Sequence, residues 1–277
     1  MNKLKEIFSG IHPESNPAMV TGMTKPFNKG YVIFFTPRSG STFLANLLEN
    51  TRSMGRPHEW YNYVHVRKIA EKRKVNEIDL YRKLIINRSV TENGVFGLEI
   101  TYNQFKLVNE LMSFEKLFKG IQYFFYLYRD NFVLQGISLD KAIRTQTFHK
   151  FKNKPVPKKD HLSGFPYDSE QIKKQINIVI NQEIGSFDLL KSYGVKPVII
   201  SYESIRSCPG AMIYGIAGIV GIGINNHDFY SKSKLEKLPS GNTKLHYQQF
   251  LYEEMDFVLE CIDKRKTKTG MSTLFID

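Results

Sequence analysis

The sequence predicts a single α/β domain in which helices pack on a central parallel sheet of about four or five strands. Short apolar runs of strand length alternate along the chain with longer amphipathic stretches of helical length. This alternation is typical of parallel strands joined by crossover helices. The runs are also apolar at nearly every position, as strands covered on both faces usually are. Ligands of such sheets bind at the carboxyl ends of the strands.

Four apolar runs are predicted to be strands, and they span residues 31–36, 95–100, 122–128 and 197–201. Apolar residues at helical spacing predict helices between and after them, at about residues 41–50, 63–87, 102–118, 131–147, 168–191, 211–224 and 243–264. The C-terminal part is therefore rich in helix. Residues 1–30 contain three prolines and are predicted to be an irregular lead-in, whereas residues 149–161 form a basic, proline-bearing loop for which a lid over the ligand is one alternative to a solvated loop. All of residues 1–277 are assigned to one domain.

Composition narrows the class of protein. The net charge of +12 indicates an anionic partner, which could be a polyphosphorylated cofactor, a membrane surface or a nucleic acid. The two cysteines, Cys208 and Cys261, are too few for a disulfide framework or a zinc site, which favours the cytoplasm. The N-terminus has no long apolar segment typical of a signal peptide. The most apolar run, residues 211–224, is shorter than the ~20 residues that a membrane span needs.

The loop between the first strand and the first helix is the clearest candidate site. It comprises Thr36, Pro37, Arg38, Ser39, Gly40, Ser41 and Thr42. The N-terminus of a helix attracts anions through its unsatisfied N–H groups and its dipole, and the hydroxyl groups, Gly40 and Arg38 suit a bound phosphate. A Walker loop would carry a lysine before its hydroxyl residue, and this loop has none. An ordinary Ser/Thr helix cap remains the alternative.

Two further segments contain residue types that could act with this loop. In the segment from Gly55 to Tyr61, Glu59 is a candidate general base and His58 a second proton carrier. Arg129 follows the third strand and Ser138 lies about two turns into the next helix, so the two could hold a second, isolated phosphate. The alternatives are a capping or surface role for Glu59 and a structural ion pair between Arg129 and Asp130.

Taken together, these motifs resemble the bacterial carbohydrate sulfotransferases typified by trehalose 2-sulfotransferase. The resemblance covers about residues 31–250. It rests mainly on Arg-Ser-Gly-Ser-Thr at residues 38–42 followed by Gly-Arg-Pro-His-Glu-Trp-Tyr at residues 55–61, and it extends to Phe96-Gly97, Asn103-Gln104, Arg129-Asp130, Gln135, Ser138 and Tyr202-Glu203. It implies a three-layer α/β/α fold like that of P-loop NTPases, with 3′-phosphoadenylyl sulfate (PAPS) as the sulfuryl donor.

The resemblance also implies roles for individual residues. Residues 38–42 would hold the 5′-phosphosulfate, Arg129 and Ser138 the 3′-phosphate, and Glu59 would take the proton of the acceptor hydroxyl. No metal is required, because a sulfuryl group carries less negative charge than a phosphoryl group. A carbohydrate or glycolipid acceptor is expected, and a homodimer is also implied. Two positions depart from the family pattern: Glu99 stands where relatives often have lysine, and Asn242-Thr243 where they often have an Arg-Ser pair.

Other readings stay open at this point. A P-loop kinase or NTPase would use the same strand, loop and helix, with Asp130 as its metal-binding aspartate. A non-enzymatic binder would use the basic clusters at residues 67–74, 150–159 and 264–268, which we interpret instead as solvated surfaces. No nucleic-acid motif accompanies them, although contact with a membrane surface is compatible with their charge. Within the acceptor region, His58, Trp60, Tyr61 and Glu99 are the candidate substrate contacts, although core packing of the aromatic rings is an alternative.

Overall fold

The computed structural model describes residues 3–12, 25–148, 150–151, 165–224, 226–230, 235–236 and 242–271. Its centre is a parallel sheet of four strands, β1 (Lys29–Phe35), β2 (Val95–Thr101), β3 (Tyr123–Tyr128) and β5 (Val198–Ser201). The strands lie in the order β2-β1-β3-β5. The predicted α/β class and all four predicted strands are confirmed. Two short strands, β4 (Lys150–Phe151) and β6 (Leu235–Glu236), form a separate antiparallel pair.

Twelve α-helices occur in the described parts of the chain. They are α1 (Lys3–Phe8), α2 (Ser41–Asn50), α3 (Tyr63–Arg73), α4 (Ile78–Ser89), α5 (Tyr102–Asn109), α6 (Phe114–Leu117), α7 (Phe132–Thr145), α8 (Ser169–Ser192), α9 (Tyr202–Ser207), α10 (Pro209–Val220), α11 (Thr243–Glu253) and α12 (Met255–Thr269). No helix within these described segments is both long and apolar enough to cross a membrane.

Three predicted helices are each divided in two by the structure. The first division follows Lys74, whose left-handed backbone (φ 54°) ends α3. The second lies before Ser113, whose hydroxyl caps α6, and the third falls at Glu254, between α11 and α12. The lead-in, predicted to be irregular, contains the short helix α1. Most of the basic loop at residues 149–161, considered as a lid, lies outside the described residues.

The sheet separates two apolar cores. Tyr31, Ile33 and Phe35 of β1 pack on one face against α2 and α10. Val32 and Phe34 pack on the other face, against α3 to α6 and the C-terminal half of α8. Alternate side chains of a strand point to opposite faces, so β1 contributes to both cores. This is the three-layer arrangement that the family resemblance implied.

The carboxyl ends of the four strands lie side by side. Phe35 is in register with Thr101 of β2 and with Leu127 of β3, and Leu127 is in register with Ile200 of β5. The segments that follow these strands therefore start at one edge of the sheet. They are the loop before α2, the start of α5, the turn before α7 and the start of α9, and they contain the predicted site residues Arg38 and Arg129.

Candidate active site

The loop after β1 has a backbone shape that suits a ligand lying close to it. Arg38 adopts the left-handed region at φ 67° and Gly40 does so at φ 89°. Such a conformation is unusual for a residue with a side chain, and non-glycine outliers of this kind concentrate at functional sites. A Cβ atom on Gly40 would lie 2.4 Å from Cδ2 of Tyr202, so the position accepts only glycine without movement of the Tyr202 ring. Gly40 has no side chain to cap α2, whose first N–H groups are those a helix leaves unsatisfied.

Arg38 links this loop to α7. Its Nε donates to the Ser138 hydroxyl at 3.0 Å, and its Nη1 donates to the carbonyl oxygen of Phe148. Ser138 and Arg38 were assigned from the sequence to opposite ends of the same cofactor, and the structure brings their side chains into contact. The Ser138 hydroxyl keeps its own proton for donation, because it accepts the hydrogen bond from Arg38.

Arg129 contacts the same Tyr202 ring that lies close to Gly40. Its guanidinium carbon is 5.1 Å from the centroid of that ring, a distance typical of cation–π stacking. Its Nε lies 3.8 Å from Oε1 of Glu203, beyond hydrogen-bond range, and has no hydrogen-bond partner among the described residues. Glu203 accepts from the Asp130 N–H at 2.9 Å. The carboxylate at ion-pair distance from Arg129 is therefore that of Glu203. The sequence had suggested Asp130 as the partner.

The two arginines share an electrostatic environment that favours an anion. Burial lowers the pKa of Arg38, and the nearby Arg129 cation lowers it further. Burial also lowers the pKa of Arg129, an effect opposed by Tyr202 and Glu203 and reinforced by Arg206. Both groups remain charged at neutral pH because a guanidinium is too strong a base to lose its proton there. An anion bound between them would relieve both the desolvation and the mutual repulsion.

Gln135 holds the loop after β1 against α7. Its Nε2 donates to the Thr36 hydroxyl at 2.9 Å and to the Pro37 carbonyl at 2.7 Å, and the side chain is fully buried. The Ser39 hydroxyl of the same loop is also fully buried and has no hydrogen-bond partner in the described parts of the chain. A buried polar atom without a partner costs free energy, so a ligand oxygen that reached Ser39 would restore the missing hydrogen bond.

Glu59 lies at the same edge of the sheet, beside α5. Its Oε2 accepts from Gln104 Nε2 at 2.8 Å and from Asn62 Nδ2 at 3.3 Å. Gln104 is held in turn by a capping box, in which its Oε1 accepts from the Thr101 N–H at 3.0 Å. That bond fixes which end of the Gln104 amide faces Glu59, so the half-buried carboxylate meets an N–H donor.

Glu99 sits behind Glu59, on β2. Its backbone N–H donates to the carbonyl of His58 at 3.2 Å, and its side chain is only 1% exposed. Burial raises the pKa of Glu99 well above its ordinary value, and the neighbouring Glu59 raises it further. The folded protein therefore favours the protonated, neutral form of Glu99, and this buried side chain is not exposed to a substrate.

The remaining predicted acceptor residues occupy different environments. His58 Nε2 is 3.1 Å from Glu49 on α2, and its ring packs edge-on against Trp60. Trp60 is half-buried and donates through Nε1 to the Arg56 carbonyl at 3.1 Å. Tyr61 is 2% exposed and packs against Tyr81. The Tyr61 ring thus belongs to the core, as the packing alternative held, and offers no face to a sugar.

Sequence reasoning did not assign roles to Gln135, Gln104 or Glu203, although all three lie in the motifs that it quoted. The signal for them was their place just after a strand or one turn into the following helix.

Cations and hydroxyl groups dominate one half of the site and carboxylates the other. No group of three His, Cys, Asp or Glu side chains is placed to hold a metal ion within the described segments.

The fold and the site define a class: an α/β protein of the P-loop type with two arginines, a glycine-bearing loop and a positioned carboxylate at the carboxyl edge of its sheet. Comparison with known families gives the particular one. Residues 30–240 match the family model described as Stf0 sulphotransferase, and the chain belongs to that family and is a sulfotransferase.

Two known proteins are similar to this chain. Trehalose 2-sulfotransferase of Mycobacterium tuberculosis is 23% identical over 228 residues, covering 69% of this chain and 84% of that protein. The sulfotransferase domain of the Synechococcus PCC 7002 olefin synthase matches with a TM-score of 0.50 and 14% identity. That match covers 89% of this chain and 96% of the other, and the likeness supports the fold.

Proposed function

We propose that this sulfotransferase moves the sulfuryl group of PAPS to a hydroxyl group of a carbohydrate or glycolipid by in-line transfer. The observation that carries the proposal is the presence at one edge of the sheet of two half-buried cationic groups, Arg38 and Arg129, together with a carboxylate, Glu59. A donor with two separated phosphate groups needs two anion-binding positions, and a hydroxyl acceptor needs a base. The site supplies both.

The donor is assigned to the cationic half of the site. The N-terminus of α2, with Ser39, Gly40, Ser41 and Thr42, would hold the 5′-phosphosulfate. Arg129 and Ser138 would hold the 3′-phosphate. Arg38 would lie between them, where its charge stabilises the negative charge that builds on the departing phosphate oxygen. Among the described residues the Ser39 hydroxyl and Arg129 Nε have no hydrogen-bond partner, and a phosphate oxygen would provide one to each, which fits this assignment.

Glu59 is assigned as the general base. Its Oε2 accepts both amide hydrogen bonds, so we assign proton transfer to Oε1, the other carboxylate oxygen. The acceptor hydroxyl has a very high pKa, and a positioned carboxylate helps most by taking the proton as the bond to sulfur forms. The two amide donors orient the carboxylate before the substrate arrives, which lowers the cost of alignment.

A kinase or NTPase is less compatible with this site. Its phosphate-binding lysine is absent from the loop. Calorimetry separates the two functions. Adenosine 3′,5′-bisphosphate (PAP) should bind without a divalent metal and more tightly than ATP with magnesium. Tighter binding of magnesium ATP would refute the donor assignment.

The acceptor is assigned by analogy with the carbohydrate named for the mycobacterial relative. Trp60 and His58 lie in the segment around Glu59 and are the candidate contacts with a sugar. A screen with ³⁵S-labelled PAPS against glycans, glycolipids and polar metabolites tests this assignment. Label transferred only to a phenol or an amine would refute it, whereas label on a sugar hydroxyl would support it.

The family resemblance makes a homodimer part of the proposal, and the cysteine content makes a cytoplasmic location part of it. Light scattering of the purified protein tests the first, and a mass equal to one chain would contradict it. Cys208 and Cys261 are both unpaired, which fits a reducing compartment. Fractionation of the source cells tests the location.

A further inference from the structure

We infer that Arg265, at the far end of the chain, is a positioning residue that holds Arg129 in place for the 3′-phosphate of the donor. The inference deepens the proposed function and rests on it. Arg265 lies on α12 within the basic cluster at residues 264–268, which the sequence indicated to be a solvated surface. The structure corrects that interpretation for this residue, because Arg265 is completely buried.

The guanidinium of Arg265 contacts the backbone from which Arg129 projects. Its Nη2 donates to the carbonyl of Arg129 at 2.8 Å, and its Nη1 donates to the carbonyl of Asp130 at 3.1 Å. These are the first residues after β3. The guanidinium also lies over the Tyr128 ring, with its carbon 5.1 Å from the ring centroid. Arg265 therefore fixes both the position and the direction of the chain where it leaves the strand.

Glu183 of α8 fixes Arg265 in turn. Its two carboxylate oxygens accept from Nε and Nη2 of Arg265, each at 2.9 Å, and both side chains are fully buried. Burial raises the pKa of Glu183, and the Arg265 cation opposes that rise. A buried pair of this kind is weak evidence for stability, because apolar residues of similar size often stabilise a fold as well. Its geometry, aimed at two carbonyl oxygens of the donor site, points to orientation.

The same two residues are held from the opposite side. Glu203 accepts from the Asp130 N–H at 2.9 Å and approaches Arg129 Nε at 3.8 Å. Arg265 and Glu203 thus hold the turn between them, and the Arg129 side chain extends from it to the Tyr202 ring. If the Arg265 contacts were lost, the turn could shift while the apolar core stayed intact. The 3′-phosphate would then lose a correctly placed partner.

The test compares two ligands that differ by one phosphate. PAP and adenosine 5′-phosphate share every group except the 3′-phosphate, so the ratio of their dissociation constants measures recognition of that phosphate alone. Arg265→Lys keeps the charge but cannot reproduce a planar fork that reaches Glu183 and two carbonyls. We expect it to reduce the preference for PAP by at least about tenfold, the scale of one charge-assisted hydrogen bond, while binding of adenosine 5′-phosphate changes little.

Matched variants separate orientation from general destabilisation. Lys264→Met removes the neighbouring cation on α12, whose Nζ bonds to exposed Asn181 of α8 at 3.0 Å, and should leave the ratio unchanged. The double variant Arg265→Met with Glu183→Leu replaces the pair by apolar side chains and provides a folded comparison if Arg265→Lys does not fold. It should regain thermal stability but not the preference for PAP.

The possible outcomes test the proposed donor site and the positioning role of Arg265 separately. If the wild-type protein shows no preference for PAP over adenosine 5′-phosphate, the proposed donor site fails, whatever Arg265 does. If the wild type prefers PAP and either Arg265 variant keeps the full preference, the positioning role is refuted. In an Arg129→Ala background, Arg265→Lys should cause no further loss of preference, because the group that it positions is absent. A further loss there would also refute the inference.

Discussion

Replacing Gly40 by alanine should damage both the stability of the protein and its donor site. Two costs add at this position. An L-residue in the left-handed region costs about 1–2 kcal/mol, and Gly40 has φ 89°. The new Cβ would also lie 2.4 Å from Cδ2 of Tyr202, and overpacking of this kind costs about 1–3 kcal/mol. Gly40→Ala should therefore lower the free energy of unfolding by about 2–5 kcal/mol.

Gly194 provides the matched control for this substitution. It has a similar backbone angle, φ 67°, but a Cβ there would meet nothing within 4 Å. Gly194→Ala should thus show the backbone cost without the collision. Urea denaturation of both variants measures the difference, which we expect to be about 1–3 kcal/mol. Equal losses in the two variants would show that Tyr202 does not restrict position 40.

The collision should also weaken binding of the sulfuryl donor. The Tyr202 ring that must move stacks on Arg129, so Gly40→Ala should weaken PAP binding by at least about tenfold, or about 1.4 kcal/mol. Gly194→Ala should leave PAP affinity unchanged. Adding Tyr202→Ala to Gly40→Ala should recover part of the lost stability, because it removes the ring that collides. PAP affinity at the wild-type level in a folded Gly40→Ala protein would refute the reasoning.

Three further predictions concern the carboxylates. Glu59→Gln should reduce turnover by at least ~10²-fold with PAP affinity nearly intact; near-normal turnover would exclude the base assignment. Gln104→Glu should keep the cap of α5 but set a second negative charge against Glu59, which moves the acid limb of the pH dependence of kcat/KM to higher pH; an unmoved limb would contradict that contact. Burial raises the pKa of Glu99 in the folded state. Above about pH 4 this carboxyl loses its proton in the unfolded chain more readily than in the folded protein, so the wild-type free energy of unfolding falls as the pH rises. Glu99→Gln should match the wild type near pH 4 and be the more stable protein near pH 8 in thermal denaturation, whereas a constant difference would contradict the raised pKa of Glu99.

The parts of the fold that the sequence predicted well depend on local signals. The apolar run of β1, the polar turn after it and the apolar face of α2 lie within twenty consecutive residues, and each follows from backbone and hydrophobic preferences alone. The break after Lys74 lacks such a signal. Neither glycine nor proline marks it, and Lys74 takes up a left-handed conformation beside Val75, which is fully buried. Packing against the rest of the domain decides that boundary.

The candidate site likewise contains residues that local motifs predict and one residue that only distant contacts reveal. Arg38, Glu59 and Arg129 could be proposed because they lie in motifs beside predicted strand ends. Arg265 could not, because its partners are Glu183 and the turn after β3, which are distant in sequence. A cation among other cations in a charged helix indicates a surface, and only the three-dimensional arrangement shows that one of them faces inward.

That contact between α12 and β3 also bears on how the protein is made. The Arg265 side chain bonds to backbone atoms 135 and 136 positions earlier in the chain. Contacts of such long sequence separation form late in folding, because the loop entropy must be overcome first. During synthesis, the sheet and the loop after β1 leave the ribosome well before α12 does. We therefore expect nascent chains that lack α12 to bind PAP weakly, so that affinity for the donor reports completion of the fold.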